Sequence, residues 1–246
     1  MTNIICHEFT QDLSRHLAIL ASKDGESYTL DTLVEDAEFT SGVVAALTTL
    51  QPGEGVARLV NPADTSKLVF VVVNGDSTRD KFGELARAAA GVDELYVASP
   101  VAEVAEAVEG ALLGAYVFDE YKEPKKAPLG ALVLPEADDD AVARGEILAE
   151  AGNRIRDLVN LAPNDLYPEV LAQIAEDEAS AAGCTVTVYR EKALEEINAA
   201  GIIHVGRGSK RHPRLVRIEW APEGAPEGTI ALVGKGITFD TVSYTH

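Results

Sequence analysis

Near one end of the chain an apolar run leads into a glycine-flanked lysine and then an aspartate: residues 231–240 read ALVGKGITFD, with Lys235 and Asp240 as the candidates for chemistry. Ligands of open α/β sheets gather outside the carboxyl ends of strands, so both side chains would project into such a crevice. A lysine there serves as a cation, or as a neutral amine ligand where a neighbouring metal dication depresses its pKa. The same spacing also describes an ordinary Lys–Asp surface pair worth ~0–1 kcal/mol. On the residues alone, both readings stand.

A second candidate is the acid-free segment 204–217 (HVGRGSKRHPRLVR), which carries Arg207, Lys210, Arg211, Arg214 and Arg217. Such a cluster can hold a phosphate or a carboxylate. Charge runs are more often solvated faces, and this one then reads as a turn between two strands, with Gly208 and Ser209 making the bend and Pro213 ending it. Residues 156–164 (RDLVNLAPN) read as a helix C-terminus running into an Asn/Pro loop. Several motifs are absent. The histidines form no HExxH pair, the two GxG stretches extend to neither a dinucleotide fingerprint nor a phosphate loop, and no GxSxG surrounds Ser209.

The elements that would position these residues alternate along the chain. Short apolar runs at 17–21, 68–73, 95–98 and 129–134 have the Leu/Val-rich character of strands buried on both faces. Between them, 80–90 and 102–121 place apolar residues at helical steps, and Gly75 to Thr78 supplies turn and N-cap residues. Residues 123–128 carry two prolines and read as a loop at a domain edge. A long helix follows the acidic 138–140. Its apolar stripe of Ile147, Leu148, Ala151, Ile155, Leu158 and Val159 stops before Pro163, and the helix is expected to bridge two domains. Beyond it, helices are expected at 168–182 and 193–200, and strands at 184–190, 202–205, 215–220 and 229–233. This alternation is the α/β pattern with a largely parallel sheet.

Composition narrows the classes. The 246 residues carry 21 Lys plus Arg against 40 Asp plus Glu, a net charge of −19 that repels a phosphate backbone over most of the surface. Residues 1–140 hold 10 basic and 25 acidic side chains and 141–246 hold 11 and 15. The difference in electrostatic character favours two domains and places any local anion site in the second. Cys6 and Cys184 form no CxxC spacing, which fits a reduced, cytoplasmic setting. The N-terminus lacks the basic and apolar regions of a secretory signal, and no apolar run approaches the ~20 residues needed to cross a membrane.

Residues 233–240 (VGKGITFD) resemble the metal-binding strand of the leucyl aminopeptidase (cytosol aminopeptidase) family. The likeness continues upstream through Asn160 to Asn164 with Pro168, and through 205–209 (VGRGS) with Pro213, Arg214 and Leu215. It also reaches 110–122 (GALLGAYVFDEYK), which looks like the end of the family's N-terminal domain. The resemblance implies a macro-like α/β N-terminal domain over 1–137. It implies that 138–246 hold a long linking helix and an incomplete α/β peptidase domain. It further implies peptide substrates, release of N-terminal residues such as leucine, two divalent metal ions (zinc or manganese) and a homo-hexamer. Lys235 matches the family's lysine ligand to one metal and Asp240 the aspartate shared by both. Some members bind DNA, against which the charge of −19 argues here.

After Asp240 the family continues with two glycines, a second catalytic lysine and further acidic ligands, whereas this chain reads TVSYTH over 241–246. No catalytic residue is therefore assigned. The expectations are a truncated or frame-shifted coding sequence, an open sheet edge and negligible peptidase activity. Two other classes are carried forward: a non-catalytic assembly protein, and a nucleotide-binding module suggested only by the macro-like fold.

Overall fold

The computed structural model describes residues 2–122, 126–221, 224 and 228–238. The elements in chain order are β1 (Asn3–His7), β2 (Leu17–Asp24), β3 (Ser27–Asp31), α1 (Ala37–Leu50), β4 (Gly55–Val60), β5 (Leu68–Val73), α2 (Thr78–Ala88), β6 (Glu94–Val97) and α3 (Val104–Gly114). They continue with β7 (Ala131–Pro135), α4 (Asp139–Asn160), α5 (Pro168–Ala181), β8 (Thr185–Tyr189), α6 (Glu191–Glu196), α7 (Ala200–Gly206) and β9 (Leu215–Glu219). Two compact units divide between Asp157 and Leu158.

The first unit is built on a seven-stranded sheet of order β1-β7-β6-β2-β5-β4, with β3 antiparallel to β2. β1, β7, β6, β2 and β5 run parallel, and β4 closes one edge antiparallel to β5. The period-2 geometry of strands explains its two cores. Leu17, Ile19, Ala21, Val69, Val71 and Val73 meet Phe39, Val43 and Leu47 of α1 on one face. On the other, Ala18, Phe70, Val72, Leu95, Leu132 and Leu134 meet α2 and α3 through Phe82, Leu85, Ala107 and Ala111. Because both faces are covered, β5 reads as the unbroken apolar run LVFVVV.

Local chemistry fixes the helix starts. The Asp36 carboxylate accepts from the Phe39 amide at the head of α1, and the Ser77 hydroxyl oxygen accepts from the Asp80 amide at the head of α2. α2 and α3 approach through glycines. A Cβ built on Gly110 would lie 2.1 Å from the Arg79 carbonyl oxygen, and one on Gly114 would lie 2.1 Å from that of Gly83. These are contacts of backbone against backbone.

The second unit pairs β8 with β9 antiparallel, from Thr185↔Glu219 to Tyr189↔Leu215. Pro168 occupies the first turn of α5, where its missing N–H is not needed. Cys6 and Cys184 are both free thiols. Among the described residues no helix is long and apolar enough to cross a membrane.

The mixed α/β class and the largely parallel sheet agree with the sequence expectation, and several elements correct it. Residues 202–205 form part of helix α7 rather than a strand, because a four-residue apolar run has too short a period to separate the two states. Residues 229–233 make no strand in the described structure: a central-strand sequence needs a neighbour, and none pairs with it. The helix expected over 102–121 stops at Gly114. The long helix is present as α4, but it buries Val142, Gly145 and Ala149 rather than the expected stripe. A Cβ on Gly145 would lie 2.5 Å from the Ala105 carbonyl oxygen, so small residues set the close approach to α3 and leave Ile147, Leu148, Ile155 and Val159 exposed.

Candidate functional site

Lys235 lies in the irregular segment 228–238 and its side chain is exposed. The segment runs past α5, where a Cβ on Gly236 would come within 3.3 Å of the Leu171 side chain. Ile230, Leu232 and Val233 are 89, 94 and 97 % exposed, values expected of a strand sequence without its sheet. The other candidate ligand, Asp240, lies outside the described residues. Among the described residues no group of three or more His, Cys, Asp or Glu side chains is placed to hold a metal ion. A structural divalent site needs several hard or borderline donors converging on one point. The described residues do not supply such a set.

The basic segment is resolved into individual partners. Arg214 is the buried member, with 9 % of its side chain exposed, and its Nη1 lies 3.1 Å from a Glu191 carboxylate oxygen. Its Nη2 reaches Glu169 at 3.8 Å, and Nη1 also donates to the carbonyls of His212 and Pro213. Arg214 therefore connects the first turns of α5 and α6 to the start of β9. Its Nε is buried without a hydrogen-bond partner among the described residues. Arg211 stacks 3.7 Å from the centre of the Tyr167 ring, and Arg217 pairs with Glu219 at 2.6 Å. The Glu191 carboxyl is held below the ordinary carboxylate range, first by its own backbone amide and further by Arg214.

These contacts favour the structural reading of 204–217 over an anion site. Arg211, Arg214 and Arg217 are engaged with acids and a ring of their own unit, and the bend joins α7 to β9 rather than two strands. Sequence reasoning did not find Glu169 and Glu191 as partners. They sit on different helices, and no spacing rule links residues so far apart in the chain.

Residues 153–244 match the catalytic domain of the cytosol aminopeptidase family. A protein of Rhodococcus opacus named "Probable cytosol aminopeptidase" is 34 % identical over 249 residues, covering 92 % of this chain and 49 % of that protein. One of the same name from Corynebacterium diphtheriae is 42 % identical over 176 residues, covering 69 % of this chain and 35 % of its own length. The chain thus spans half or less of the length of these curated relatives. Among solved structures, a bottromycin maturation enzyme in complex with Mn is 25 % identical with a TM-score of 0.65, covering 85 % of this chain and 46 % of that one. A tomato leucine aminopeptidase mutant superposes with a TM-score of 0.78 at 19 % identity over 98 % of this chain and 55 % of that one, a likeness of fold alone. By these matches the chain is a relative of the cytosol aminopeptidase family, and its residues 153–244 fall within that family's catalytic domain.

Proposed function

We propose that this sequence belongs to a metal-dependent aminopeptidase that hydrolyses N-terminal residues, leucine among them, from peptides. The observation that carries the reading is the run VGKGITFD at 233–240 inside the region matched to the family's catalytic domain. In this reading 1–137 are the N-terminal domain, and 138–246 are the linking helix and the start of the peptidase domain. Lys235 and Asp240 are ligands to a pair of divalent ions, zinc or manganese. A relative solved with Mn supports the use of a divalent metal. The same proposal includes a hexamer in the cytoplasm. Because the described residues do not fit a two-metal centre, no catalytic step is derived from them.

Two measurements test the reading together. The purified 246-residue chain, supplied with manganese or zinc, should show no metal-dependent turnover of leucine p-nitroanilide. Residues 1–240 joined to the part of the Rhodococcus opacus relative that this chain does not cover should restore it. Lys235→Ala or Asp240→Ala in the fusion should then lower the rate by more than about 100-fold, beyond the cost of losing a supporting group at a metal. A folded, metal-loaded fusion that is inactive, or one indifferent to both substitutions, would refute the assignment.

A further inference from the structure

The first unit contains a cleft of about 210 Å³ at the C-terminal ends of α2 and α3, walled also by residues 126–128 and by α4. On this scale one water needs ~10–15 Å³, so the space holds a small organic molecule rather than a single solvent site. Among the described residues three cations line it, Arg87, Lys126 and Arg156, and no aspartate or glutamate does. That is an unusual wall in a chain of net charge −19. Leu113, Val117 and Pro128 supply apolar surface beside the charges.

Arg156 is held in place before any ligand arrives. Its Nη1 donates to the Leu113 carbonyl at 2.8 Å and to Asn153 Oδ1 at 2.9 Å, and its guanidinium stacks 3.8 Å from the centre of the Tyr116 ring. Its Nε and Nη2 donors have no partner among the described residues. Arg87 and Lys126 form no ion pair among the described residues.

Capping of the two helix ends does not use up this charge. Each helix C-terminus carries roughly half a negative charge, so the pair offsets about one of the three cations. The Asp157 carboxylate, which accepts the Tyr116 hydroxyl at 2.8 Å, is not part of the wall, and counting it still leaves the balance positive.

We propose that this cleft binds a small molecule through a dianionic phosphate group, with Arg87, Arg156 and Lys126 as its cationic contacts. Guanidinium groups match phosphate oxygens in pairs, and the lysine adds a point charge. The apolar wall takes the organic part of the ligand. The site is independent of the peptidase assignment, and its readout is binding rather than turnover.

The test is calorimetric titration of the 246-residue chain with inorganic phosphate and with phenyl phosphate at constant ionic strength. Phenyl phosphate should saturate with a Kd of about 0.1–1 mM and bind more tightly than inorganic phosphate. Arg87→Gln and Lys126→Gln should each weaken it about tenfold, the value of one charge-assisted contact. Both side chains are exposed, and neither forms a hydrogen bond or ion pair among the described residues. Lys192→Gln, on the second unit, should leave the affinity unchanged. Absence of saturable binding below about 10 mM would overturn the proposal. So would affinity that survives both substitutions, or that falls equally in Lys192→Gln.

Discussion

Gly110→Ala is expected to lower the stability of the first unit by about 2–3 kcal/mol, even though alanine is the better helix former by ~1 kcal/mol. At ~2–4 °C per kcal/mol for a unit of this size, the melting temperature should fall by roughly 5–10 °C. The cause is the 2.1 Å approach of the added methyl to the Arg79 carbonyl oxygen. Backbone cannot rotate aside as a side chain can, so α3 must move away from α2. That movement opens the packing of Phe82 and Leu85 against Ala107 and Ala111. Gly42→Ala in α1 is the internal comparison, because its methyl would meet only Pro62 at 3.7 Å. It should raise stability by about 0.5–1 kcal/mol. Urea titration followed by circular dichroism reads both. Equal stability of Gly110→Ala and the unchanged protein would show that the helices are not in backbone contact.

The second large effect is in hydrogen exchange. Among the described residues, the buried apolar side chains of the second unit are Leu166, Ala172 and Leu194, whereas those of the first fill both faces of a seven-stranded sheet. Opening free energy follows buried apolar contact. Amides of α5, β8 and β9 should therefore exchange through openings about 4 kcal/mol less costly than those of β2 and β5, a difference of roughly 1000-fold in protection. Arg214 ties α6 to α5 and the start of β9 through Glu191 and Glu169, and Arg214→Ala should remove most of the protection that α6 retains. Uniform protection across both units would contradict this reading.

The sequence displayed the sheet interior better than its edges. β5 was legible because a strand buried on both faces must be apolar at every position. β1, β3 and β4 were not, because their exposed residues break the run. The turn between β2 and β3 did carry a signal in Gly25-Glu26, a two-residue hairpin loop with glycine at its first position and φ +60° there. α1 was hidden by its threonines and by Gly42, which weaken the helical pattern although Phe39, Val43 and Leu47 keep the right spacing. For the candidate site, the type and order of residues at 233–240 pointed to a family, whereas position did not follow. Strand pairing places such residues, and 229–233 has no pairing partner in the described structure.

The exposed run TIALV at 229–233 has a consequence for the chain in bulk. It is β-prone, uncharged and free of proline, the makings of a segment that stacks into cross-β fibrils with identical copies. What opposes stacking is long-range repulsion between molecules of charge −19, and that vanishes near the isoelectric point of about 4.6. Thioflavin T fluorescence should rise on incubation near that pH and stay low at pH 7.5 in dilute salt. Leu232→Lys should suppress the rise, and an unchanged signal in that variant would place the nucleus elsewhere. Colloidal behaviour, and with it the buffer in which every other measurement is made, is thus governed by an unpaired strand sequence and the acidic surface that keeps its copies apart.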